Sequence, residues 1–168
     1  MAIAFRILRL YALALWVGGL VFFVMVANVA FQTMPTPVLA GQIVRGSLLN
    51  LHRLGVVTGV LYLLFTLALL ATRRDGHPLR IAELALAAAM IALTLYSQMS
   101  IIPRMETDRL TLGGDVTKSG PGNRAYDDFQ RLHQRSTQVE GLVLLMGLVA
   151  LAFAPIHGRE EYVPPPVF

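Results

Sequence analysis

Three features of the 168-residue sequence point to an all-α integral membrane protein, a bundle of four helices that cross the bilayer. The chain is 55% hydrophobic and only 14% charged, with a mean hydropathy of +0.61. A soluble domain of this length needs far more charge to cover its surface. Four apolar runs, 10–31, 54–71, 84–102 and 139–156, recur along the sequence. Each is about 20 residues, or about 30 Å as a helix, which matches the hydrocarbon thickness. Basic residues sit between the runs rather than inside them.

The first run is broken only by Asn28 and follows a basic flank, 1–9, that carries Arg6 and Arg9. Its apolar stretch is longer than the core of a cleaved leader, and no small-x-small site follows, so it reads as a retained helix. A loop over 33–50, opened by Pro35 and Pro37, leads to the second run, which has no charge. A short basic connection, 72–80, contains His77-Pro78, where a helix must stop. The third run carries Thr94, Ser97, Gln98 and Ser100 as its polar members. A long loop over 103–135 follows, rich in Gly, Ser and Pro in its middle, with an amphipathic helix expected over 124–135. After the fourth run the tail 157–168 ends in three prolines and reads as extended chain.

Lipid offers no partner for an open backbone group, so the runs must be helices. Helices that alternate in direction place Asn28, Gln32, His52, Arg53, Gln98, Arg104, Glu106, His133 and Glu140 at one face of the membrane. The other face offers mainly arginines, His77 and Glu83. His133, Ser136 or Thr137, and Glu140 share one face of the fourth helix by their spacing. A carboxylate in lipid costs about 3 kcal/mol, so Glu140 is expected to face protein or water, with Arg53 or His133 as its partner. The candidate polar site is therefore His52, Arg53, Gln98, Arg104, Glu106, His133, Ser136 and Glu140. An interfacial cluster of ion pairs that anchors the helix ends is the plainer reading of the same residues.

Other readings stay open beside that one. His52 and His133, with Met99 and Met105 nearby, form a donor set that would suit copper, and a bis-histidine haem is the other cofactor to consider. A methionine in an apolar helix is more often packing material, so no cofactor is the base expectation. Gly55 and Gly59 form a small-xxx-small pair that would let a second membrane protein or a second copy approach. Trp16, Gly18 and Gly19 read as packing residues of the first helix. Leu51-His52 and Leu132-His133 lie 81 residues apart, each before an apolar run, as two repeated helical hairpins would produce.

The net charge is +4, but the basic residues flank apolar runs, so lipid headgroups explain them and nucleic acid is not an expected partner. Basic density favours termini on the inside, in a bacterial cytoplasmic membrane, while the raw count of basic residues favours the reverse. Cysteine is absent, which removes disulfides and thiolate chemistry. No phosphate loop, zinc-type His-Glu pair or serine nucleophile motif is present, so an enzyme is not expected. The functional expectations are small-solute or metal-ion transport through the polar mouth, a non-catalytic membrane scaffold, or a haem-bearing redox protein.

Leu15-Trp16-Val17-Gly18-Gly19 with Phe22-Phe23, Ala40-Gly41, Ile102-Pro103-Arg104-Met105-Glu106, and Phe129 with Leu132-His133 and Ser136 carry a family likeness. In this order they resemble the transmembrane protein 205-like family, a domain of unknown function. The likeness spans the chain from about Leu10 to Ala154 and implies a small multi-pass helical protein without an established activity. The aromatic-Gly-Gly first helix is also similar to copper resistance protein D-like membrane proteins, which is a further reason to consider copper.

Overall fold

The computed structural model describes residues 2–71 and 78–153, and among these there is no strand. Helix α1 (Ala2–Thr33) is followed by α2 (Pro37–Ala71) and α3 (Pro78–Tyr96). A π turn, Ser97–Ile101, joins α3 to α4 (Ile102–Thr111) without a break, and α5 (Arg124–Phe153) closes the bundle. Four helices are long and apolar enough to cross a membrane, with 78–111 acting as one rod. Arg73, Arg74, His77, the end of the fourth run and the proline-rich tail lie outside the described residues.

The bundle is apolar outside and partly polar inside, the reverse of a soluble protein. Leu15, Phe22, Met25, Leu64, Leu67 and Leu145 all point outward. Arg9, His52, Glu83, Thr58, Thr66, Thr94 and Ser97 are buried. Such an exterior is stable against lipid tails and would aggregate in water.

Small residues let the helices approach. A Cβ on Gly55 would lie 2.4 Å from the Trp16 indole nitrogen, and one on Gly59 would lie 2.5 Å from its Cζ3. Trp16 of α1 therefore fills the groove that the two glycines leave on α2. Gly19 meets Leu51 and Leu54 in the same way, and Gly147 of α5 meets Val17 and the Met90 methyl. Gly18, expected to pack, faces outward with nothing near it. The Gly55/Gly59 face is occupied within the chain, so it is not open to a second protein.

The helices also reach further than the apolar runs. At 35 residues, α2 is about 50 Å long, well beyond the hydrocarbon layer of about 30 Å. The stretch expected as a loop over 33–50 is mostly helix from Pro37 onward. Thr36 caps it: its hydroxyl accepts from the Leu39 amide and its carbonyl from the Ala40 amide. Proline costs nothing in a first turn, where its missing N–H would have no partner.

The expected long loop over 103–135 is likewise reduced to 112–123. Pro103 follows the π turn directly, at the start of α4. The expected amphipathic helix over 124–135 and the fourth span are one continuous helix. Asn123 caps it, its Oδ1 accepting from the Ala125 and Tyr126 amides. The polar ends of α2, α4 and α5 thus gather at one end of the bundle as a collar.

Candidate functional site

The collar encloses a cavity of about 330 Å³. Phe31, Val38, Val44, Leu48, Ile102, Met105 and Phe129 give it an apolar wall. Its polar groups are Gln42, Arg45, Glu106, Arg109, Asp115, Gln130, His133 and Ser136. Arg109 grips both oxygens of Glu106, Nε to Oε2 at 2.9 Å and Nη2 to Oε1 at 2.7 Å, and its Nη1 donates to the Gly114 carbonyl. Every arm of that guanidinium is used. Arg45 reaches Glu106 through Nε alone, at 3.5 Å, and is half exposed. Asp115 is already met: the Thr117 hydroxyl donates to it at 2.6 Å, which holds its carboxyl below the usual range, and Lys118 lies beside it.

Among the described residues the carboxylates at the mouth are therefore neutralised, and Arg45 is the cavity-lining cation with donors to spare. An apolar wall with one available cation suits a small amphipathic molecule with a negative end.

A buried ionisable pair lies one helical turn below the cavity floor. Ser136 lines the cavity and is itself buried. Four residues on, Glu140 Oε1 lies 2.7 Å from His52 Nε2, with the side chains 13% and 1% exposed. The expected partners of Glu140, Arg53 and His133, are elsewhere. Arg53 is exposed and donates to Asn50 at 3.4 Å, and exposed His133 stacks on Phe129 at the cavity wall. The two histidines thus sit at different depths, so their matched sequence positions are not matched in space.

The π turn lies next to this pair. Its Ile102 amide donates to the Ser97 carbonyl, an i to i+5 bond. Pro103 has no N–H to give the carbonyl four residues back, and its ring crowds that carbonyl. An extra residue in the turn relieves the clash. It also rotates α4, so that Ile102, Met105, Glu106 and Arg109 line the cavity. Such turns are frequent at functional sites. Gln98 is half-buried within it.

The remaining expected residues fall outside this centre. Arg104 is exposed and lines an outer groove with Asp108, Asp128, Arg131 and Arg135. Met99 is 73% exposed and faces outward, far from the role of a ligand. Met105 lines the cavity, but His52 already gives Nε2 to Glu140. Among the described residues no three His, Cys, Asp or Glu side chains group in a way that could hold a metal. The proposed His52/His133/Met99/Met105 set does not converge.

A second buried pair occupies the other end of the bundle and was not anticipated from the sequence. Arg9 Nη1 of α1 donates to Glu83 Oε2 of α3 at 2.8 Å, with side chains 5% and 0% exposed. The Arg9 guanidinium also lies 6.0 Å from the centre of the buried Tyr62 ring. One signal was available: Glu83 is spaced at i, i+4, i+7 from Ala87 and Met90, so it shares their buried face.

Residues 11–109 match the family described as Domain of unknown function (DUF4149). The match runs from α1 through α4 and stops before α5, which supplies Ser136 and Glu140. No curated protein and no solved structure matches the chain.

Proposed function

The chain belongs to the DUF4149 family, and we propose that it binds a small amphipathic solute, an apolar body with one anionic end, in the collar cavity and passes it across the bilayer. The observation that carries this reading is the cavity itself. Its wall is apolar, its carboxylates are paired, Arg45 keeps free donors, and its floor lies one turn above a buried ionisable pair. Intramembrane ionisable groups are costly and mark solute or ion paths. The likeness to the transmembrane protein 205-like family fits a small multi-pass protein of this kind.

Octanesulfonate is a suitable probe, since its charge is fixed at every pH and it does not cross lipid unaided. Proteoliposomes holding the full chain are expected to take up labelled octanesulfonate faster than empty vesicles. Arg45→Ala is expected to weaken its binding about tenfold, the loss of one charge-assisted contact. Ser136→Phe, which fills the floor, should abolish uptake while the protein still inserts. Uptake equal to that of empty vesicles, with no binding in nanodiscs, would overturn the reading.

A further inference from the structure

The His52–Glu140 pair leaves buried polar atoms unmet. Among the described residues His52 Nδ1 and Glu140 Oε2 have no hydrogen-bond partner, and neither does Ser97 Oγ. Ser97 is fully buried. The helix register brings it to the same depth. Gly147 of α5 packs on Met90 of α3, and the two helices run antiparallel. Seven residues back from Gly147 is Glu140, and seven on from Met90 is Ser97. Glu140 in turn touches His52. Three orphaned polar atoms thus share one layer of the bundle, where each costs about 1–3 kcal/mol if nothing meets it.

The charge on this layer is the second consideration. If His52 Nε2–H donates to the Glu140 carboxylate, the pair carries one negative charge and the open lone pair is on Nδ1. A net charge buried in a low-dielectric layer is unfavourable. One proton taken up on Nδ1 brings the pair to zero without breaking the 2.7 Å contact.

Little else there can do so. Helix α1 presents Leu20 near this depth, the π turn presents Ser97 and Gln98, and α5 presents Ser136. Among the described residues the further charged or titratable groups along these helices are Arg53, exposed beside Asn50, Arg135, exposed on α5, and His133, Arg104 and Glu106 in the collar above.

We infer that His52, Glu140 and Ser97 form a buried proton-binding site beneath the collar cavity, with His52 Nδ1 as the acceptor. This deepens the proposed function and rests on it in one respect: an anion held above the pair favours the protonated state, so solute and proton bind together.

Trp16 reports on the site directly. It is the sole tryptophan, it packs on Gly55, and Gly55 is one turn from His52. A protonated imidazole nearby quenches indole emission. In nanodiscs holding the full chain, Trp16 emission is expected to fall in one step as pH drops from about 9 to about 4, the range that brackets histidine and carboxylate titration. His52→Gln should remove the step. Glu140→Gln should move it to lower pH by about one unit, because the carboxylate that favours imidazolium is gone. His133→Gln should leave it in place.

Octanesulfonate should move the step to higher pH. A flat curve, or an unchanged step in His52→Gln, would overturn the inference, and so would octanesulfonate that binds without moving it. Circular dichroism checks that each variant keeps its helix, and Glu140→Gln serves if His52→Gln does not fold. Failure of labelled octanesulfonate to bind, with the step and its His52 dependence intact, would remove the solute reading and leave the proton site standing.

Discussion

The two ends of the bundle each hold an ionisable pair, and they hold it in different ways. At one end Arg9 and Glu83 are sealed among Tyr62 and the apolar core. Guanidinium does not lose its proton in a protein, so Arg9 keeps its charge. At the other end His52 and Glu140 lie beneath a cavity. Histidine can change charge near neutral pH. Between the ends stands Trp16, locked into the Gly55/Gly59 groove. Burial alone therefore does not mark function; a pair must also be able to change state and be reached.

The comparison can be broken first at the closed end. Glu83→Gln leaves the Arg9 charge buried without its carboxylate and is expected to cost about 3–5 kcal/mol. Denaturation in detergent measures it, and the double variant Arg9→Leu/Glu83→Leu should recover much of the loss. A Glu83→Gln chain as stable as wild type would show the pair is not a structural clamp.

Smaller effects sharpen the contrast. Gly59→Ala drives a methyl into Trp16 and Ile91 and should cost about 1–3 kcal/mol, whereas Gly18→Ala, with open space around it, should be neutral in the same melt. Glu140→Gln keeps a hydrogen-bonding partner for His52 and should cost only about 1 kcal/mol. Equal losses for Glu140→Gln and Glu83→Gln would erase the distinction between the ends.

Smallest of all, the Asp115 cap of the collar loop should respond only to strong acid. The folded carboxyl is held below its ordinary range by Thr117. Its contribution is present above the unfolded pKa of about 3.9 and is lost as pH falls through the lower folded value. Amide exchange at Thr117, whose N–H donates to Asp115 at 3.0 Å, should stay slow until that point.

The spans were legible because lipid imposes one rule on every residue in them: long, apolar and helical. Grouping His52 with Glu140 at one face followed from helix alternation alone. The partner choice did not, because it depends on helix rotation, which Trp16 and the glycines set through tertiary packing. The collar was hidden for a similar reason. Gln42, Arg45 and Asn50 look like loop by composition, yet outside the bilayer a polar helix end capped by Thr36 satisfies its backbone just as well. Arg9 and Glu83 lie 74 positions apart, and nothing local to either shows that they meet.

The central claim is that the cavity end is open to an anionic solute and the Arg9–Glu83 end is not. The natural chain has no cysteine, so single introduced thiols report without background. Ser136→Cys at the cavity floor and Thr66→Cys beside Tyr62 can each be treated, in nanodiscs, with sulfonatoethyl methanethiosulfonate, a small anionic thiol reagent. Ser136→Cys is expected to label and to be protected by octanesulfonate, while Thr66→Cys stays unlabelled. Equal labelling at both positions, or labelling at Thr66→Cys alone, would contradict the account.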